Sequence, residues 1–150
     1  MKSDKIVIYS VLTRLWGNEV KHPRPSGTLA ENGSGKFSSF TKEALAYIRS
    51  LGTTHVWYIG VLEHATKTNY SSIGIQPDHP DTVKGEAGSP YAVKDYYDID
   101  PDLAEDPVRR QEEFDALLRR THEAGLKVLM DFVPNHVARC YHSDAKPEGT

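Results

Sequence analysis

The strongest constraint on this chain is the order of its apolar segments. Lys5–Leu12 (KIVIYSVL), Thr54–Gly60 (THVWYIG) and Leu126–Phe132 (LKVLMDF) are short, β-branched or aromatic, and almost continuously hydrophobic. Runs of that length and composition read as buried parallel strands. Two helical patterns lie between them. In the first, Thr41 is placed as N-cap, Phe40 and Leu45 as a hydrophobic staple, and Ala44, Leu45, Ile48 and Leu51 as one apolar stripe ending at Gly52. In the second, Asp106 caps, Pro107 takes the first helical position, and Gly125 closes the helix. Phe114, Leu117, Leu118 and Thr121 recur at helical spacing, opposite a charged face that includes Arg109, Arg110, Glu112, Glu113, Arg119 and Arg120.

Strand, helix, strand, helix, strand predicts two right-handed crossovers and a parallel sheet. The connections are unequal. Helix-to-strand turns at Gly52 and Gly125 are short, whereas Thr13–Phe40 and Val61–Glu105 far exceed the usual loop of roughly 2–6 residues. All the elaboration therefore falls at the carboxyl ends of the strands, where α/β folds bind ligands. The second connection holds Tyr70, Ile73, Ile75, Tyr91, Val93, Tyr96, Tyr97 and Ile99, too much apolar surface to leave in water. Only Asp78–Pro90, polar and rich in Gly and Pro, reads as mobile.

Composition excludes other classes. With 38% hydrophobic and 26% charged residues the 150-residue chain reads as globular, and its prior is one domain. A net charge of −3, with no Lys/Arg run beyond two, argues against nucleic acid. Ile6–Leu12 is too short to span a bilayer and lacks the flanks of a signal peptide, so no membrane association is expected. A cytoplasmic location is slightly favoured over a secreted or periplasmic mature form. Cys140 stands alone, so no internal disulfide forms.

Several motifs fail on spacing. Gly33-Ser34-Gly35-Lys36 lacks the Gly and Ser/Thr of a phosphate loop, having Ala30 and Phe37 at those positions. Asp98, Asp100 and Asp102 begin like an EF-hand loop but meet Leu103 and Arg109 where Gly and Glu are required. His136, Cys140 and His142, with Asp144 nearby, match no standard zinc spacing. The informative stretch is Asp131-Phe132-Val133-Pro134-Asn135-His136, where a carboxylate, an amide and an imidazole leave the end of a buried strand. The residues alone fit equally an active-site rim or a capped strand end.

Met130–His136 resembles the first sequence region of the α-amylase family (glycoside hydrolase family 13): Asp, three variable residues, Asn, His. Ser89–Pro101 (SPYAVKDYYDIDP) is similar to the family stretch in which Tyr is followed four residues later by Asp, and Thr41–Trp57 to its first helix and second strand. Pro90 departs from the Gly that many members place before the Tyr. The resemblance implies a (β/α)8 TIM-barrel type of α/β fold, of which only the first three strands and two helices are present. Residues 1–132 would be the N-terminal part of the catalytic barrel, and 133–150 the start of the excursion after strand three. It implies retaining cleavage or transfer of α-glucosidic bonds in starch-like glucans. Tyr91 would stack on the sugar ring and His136 would bond a sugar hydroxyl, with Asp131 bracing the catalytic centre. Asn135 would be a calcium ligand, calcium being the one cofactor implied. The family's catalytic carboxylates follow later strands, so none is expected within this chain.

A closed barrel needs ~250 residues. The expectation is therefore a truncated or partial product, inactive and poorly soluble alone, whose exposed strand edges cause self-association. A non-catalytic α-glucan-binding module and an unrelated small three-stranded α/β domain are the alternatives.

Overall fold

Residues 5–149 are described by the structure, a computed structural model. Three parallel strands form its centre: β1 (Ile8–Leu12), β2 (His55–Ile59) and β5 (Lys127–Met130), with β2 in the middle. Val11 lies opposite Tyr58, and Val56 opposite Val128. Each strand falls inside the segment expected for it and is shorter by two to three residues, at ends where the backbone turns into loops. No barrel closes.

The strands are not buried on both faces. Val56 and Tyr58 are fully buried, while Trp57 between them is 36% exposed. One face of the sheet packs on helices and the other does not. The packed face shares a core with Leu45 and Ile48 of α2 (Lys42–Ser50) and with Phe114 and Leu117 of α3 (Arg110–Glu123). Phe40 stacks on Trp16 with ring centroids 5.2 Å apart and meets Tyr58 edge-on at 5.0 Å.

Helix α2 begins where capping chemistry places it, Thr41 Oγ1 accepting a 3.2 Å bond from Ala44 N–H. Leu51 leaves the expected apolar stripe: it is the C-cap residue, beyond the last helical turn, and is exposed. Asp106 caps as expected, but over a 3-10 turn (Pro107–Arg109) that α3 then continues. A short helix α1 (Leu29–Asn32), closed by a Thr28/Glu31 capping box, lies in the first long connection.

The second long connection folds into a ribbon. Strand β3 (Leu62–His64) pairs antiparallel with β4 (Val93–Ile99). Asp78–Pro90, expected to be mobile, is pinned. Lys67 N–H donates to the Glu86 carbonyl at 2.9 Å, and Arg14 Nη1 to the Ala87 carbonyl at 3.0 Å. A Cβ on Gly88 would fall 1.7 Å from the Ala65 carbonyl oxygen, so backbone meets backbone there. The segment after β5 lies along the ribbon, Ala138 and His142 N–H groups donating to the Val93 and Lys94 carbonyls at 2.8 and 3.1 Å. Among the described residues, no helix is long and apolar enough to cross a membrane.

Candidate functional site

Asp131 is the first residue beyond β5, at the carboxyl end of the sheet. Its Oδ1 accepts a 2.6 Å bond from Trp57 Nε1, and its Oδ2 a 2.9 Å bond from the Gly60 N–H. One carboxylate thus holds the ends of β2 and β5 together through two donors, the geometry of a positioning group. Gly60 has φ +76°, and a Cβ on it would fall 2.6 Å from Pro90 Cβ. The loop carrying Tyr91 is therefore seated on the end of β2, and Pro90, the departure from the family pattern, makes that contact. Tyr91 is 48% exposed, its N–H donating to Ser89 Oγ at 3.3 Å.

Asn135 and His136 are exposed, on a segment anchored by buried Val133 and Ala138. The Tyr96 hydroxyl donates to the Val133 carbonyl, and its ring meets Phe132 at 6.1 Å. Among the described residues, no hydrogen bond or ion pair joins Asn135 or His136 to Tyr91 or Asp131. The strand end gathers Asp131 and the Tyr91 loop; the amide and the imidazole stand outside that contact.

The aspartates that began like an EF-hand loop are buried in ion pairs instead. The Arg110 guanidinium grips Asp98 with two N–H groups, and Arg14 Nη2 lies 2.5 Å from Asp102, which also accepts the Tyr70 hydroxyl at 2.6 Å. Burial pushes the Asp100 carboxyl up, opposed by His64, whose Nδ1 lies 3.4 Å away, and by Arg14.

An acidic group that the sequence reading did not single out lies in the ribbon. Glu63, Asp95 and Asp98 are all buried and bring carboxylate oxygens within 4.8 Å of one another, so this triad could hold an ion. Burial pushes the Glu63 carboxyl up to about 8; Lys94 opposes that shift, while Asp98, Asp95 and Asp144 add to it. No spacing rule reveals such a triad, because Glu63 and Asp95 meet only across the ribbon. Among the described residues, His136, Cys140 and His142 do not form a comparable group: Cys140 is exposed, and His142 pairs with Asp144 at 3.4 Å.

A parallel α/β sheet, with its long connections folded over the carboxyl ends of its strands and a carboxylate clamping two of those ends, defines an α/β domain of the ligand-binding kind. Residues 29–146 match the alpha amylase catalytic domain. The chain belongs to the alpha-amylase family. It is 24% identical over 136 residues to Alpha-amylase 2 of Dictyoglomus thermophilum, spanning 91% of this chain and 19% of that protein. Maltase 1 of Drosophila virilis is 44% identical over 46 residues, 31% of this chain and 6% of that one. The crystal structure of an alpha-amylase from Lactobacillus plantarum superposes with a TM-score of 0.61 at 29% identity, covering 90% of this chain and 24% of that one. The chain thus spans about a fifth to a quarter of these longer amylases.

Proposed function

We propose that the chain contributes the substrate-facing carboxyl edge of an enzyme that cleaves or transfers α-glucosidic bonds in starch-like glucans by a retaining mechanism. In this reading residues 1–132 are the N-terminal part of a (β/α)8 catalytic barrel and 133–150 begin the excursion after its third strand. The half-exposed Tyr91 ring offers a flat apolar face to a pyranose CH face. His136 hydrogen-bonds a sugar hydroxyl, an interaction that strengthens as the oxocarbenium-like transition state forms. Asp131 does not touch sugar; it fixes the strand ends from which those groups project. Asn135 supplies an amide oxygen of the kind Ca²⁺ takes, and the residues fit that role only in part, since one exposed amide is one ligand. The nucleophile and the acid/base carboxyl, roughly 5 Å apart in a retaining enzyme, are supplied outside these 150 residues.

The observation that carries this reading is the Asp131 bridge to Trp57 and Gly60 beneath the Tyr91 loop, in a chain that matches the alpha amylase catalytic domain over residues 29–146. Calorimetric titration of the purified chain with maltoheptaose tests it. Heat that falls at least about tenfold in affinity in Tyr91→Ala is expected, because the stacking face is lost. Robust starch cleavage by the chain alone would overturn the placement of the catalytic carboxylates. Unchanged heat in Tyr91→Ala would overturn the platform. Binding without hydrolysis that persists in every longer form would favour a non-catalytic glucan-binding module.

A further inference from the structure

We propose that Glu63, Asp95 and Asp98 form a calcium-class cation site that ties the β3–β4 ribbon to α3 and to the segment after β5, separate from the amide of Asn135.

Glu63 and Asp95 are directly opposed across the antiparallel ribbon, a pairing of like charges that sheets avoid. Asp95 and Asp98 are three apart, which in a regular strand would send them to opposite faces. They reach one cluster because the ribbon is irregular: its register shifts on both sides of Glu63. Such bulges re-aim side chains. Two local bonds hold the distortion, Asp95 Oδ1 accepting from Tyr97 N–H at 2.8 Å and Asp98 Oδ1 from Ile99 N–H at 2.6 Å.

Glu63 points to a ligand independently of the clustering. It is 1% exposed, and among the described residues neither of its carboxylate oxygens receives a hydrogen bond. A buried carboxylate in that state is costly unless a cation accompanies it. The nearest cation, Lys94 Nζ, stands 3.9 Å away and is committed elsewhere, to the Gln76 carbonyl and to Asp78 at 3.3 Å. Asp144, which lies close enough to act on Glu63, also has a buried oxygen without a hydrogen bond. Among the described residues, five carboxylates (Glu63, Asp78, Asp95, Asp98, Asp144) therefore share Lys94, Arg110 and the His142 imidazole, which leaves negative charge in excess. A divalent ion would offset most of that excess.

The donor set is all oxygen, which selects a hard cation, and twice a Ca–O length of 2.3–2.6 Å spans the oxygens' separation of up to 4.8 Å. Carboxylates already bonded to protein donors retain lone pairs for a metal. An ion also has a way in. A surface cleft lined by Tyr97, Val108, Arg110 and Ala145 opens onto Asp98 and Asp144. Its anchoring effect follows from the contacts: Asp95 Oδ2 accepts from the Ala145 N–H at 3.3 Å, and Asp98 is held by Arg110 of α3.

The test is a titration of the chelator-treated full chain with CaCl₂, followed by calorimetry and by thermal unfolding. The expected result is saturable binding of one Ca²⁺, at least about tenfold tighter than Mg²⁺, with a rise of several degrees in the unfolding midpoint. Both should be lost in Glu63→Gln and in Asp95→Asn and kept in Asn135→Ala. Glu63→Gln keeps the shape without an ionisable group, so its metal-free form should be at least as stable as wild type. Absence of any calcium response in the wild-type chain would overturn the proposal, as would an unchanged response in both cluster variants. A response lost in Asn135→Ala but kept in Glu63→Gln would also overturn it, placing the ion at the amide. Glucan binding through Tyr91 is read separately and can fail or succeed without bearing on the cation.

Discussion

Tyr58 shows how one side chain serves both packing and polarity. Its ring lies fully buried against Phe40, while its hydroxyl meets Thr121 Oγ1 at 2.7 Å, and Thr121 donates to the Leu117 carbonyl at 2.9 Å. Tyr58→Phe leaves Thr121 its bond to Leu117, so it should cost only about 1 kcal/mol in denaturant unfolding, the net worth of one hydrogen bond. Burial pushes the Tyr58 hydroxyl up to about 12, with the Thr121 bond and Arg120 acting in the opposite sense. The unfolded tyrosine ionises near its ordinary value of 10.0 and the folded one does not. Stability should therefore hold below about pH 10 and decline from there through about pH 12. In Tyr58→Phe that alkaline decline should be shallower. It should not vanish, because burial also raises the Tyr70 hydroxyl.

At the scale of elements, the carboxyl edge of the sheet rests on Asp131 and Gly60. Asp131→Asn should loosen it by roughly 1–3 kcal/mol in denaturant unfolding, since an amide turned to suit Trp57 sets an N–H group against the Gly60 N–H. Gly88→Ala should be severely destabilising. The position has φ +76°, and the added carbon would strike the Ala65 carbonyl, a backbone atom that cannot yield cheaply. A loss of protection of residues 80–90 in hydrogen exchange would check that effect. The central strands and both long helices were legible in the sequence because continuous apolar runs, Thr41, Asp106 and the two closing glycines act locally. The ribbon was not. β3 has three residues, two of them Glu63 and His64, and β4 mixes Lys94, Asp95 and Asp98 with its apolar positions. Pairing across some thirty residues, with an irregular register, buries charges that local patterning assigns to solvent. Asp131 stands out in the sequence by its place at a strand end and Tyr91 only through the family resemblance; the Glu63 triad was hidden for the same reason as the ribbon.

For the molecule as a whole, the sheet has two open edges among the described residues. β1 and β5 each have one neighbour, and Ile6, Ile8, Met130 and Phe132 near those edges are 66, 47, 39 and 77% exposed. Unpaired strand edges beside exposed apolar side chains recruit other strands. Light scattering should show the chain's mass rising with concentration, and Ile8→Lys should suppress that rise by placing a charge on the edge. The clamp at the other end of the sheet bears on how the chain is made. Trp57 and Asp131 are 74 positions apart. At about 5–20 residues per second, a ribosome needs roughly 4–15 s to travel between them. Both ribbon strands are synthesised within that interval, while the indole and the Gly60 amide still lack the carboxylate that joins them. The carboxyl edge is thus completed only after both ribbon strands have been made, and a pause or an early stop before codon 131 would leave a nascent chain with those strands but without the carboxylate that joins β2 to β5.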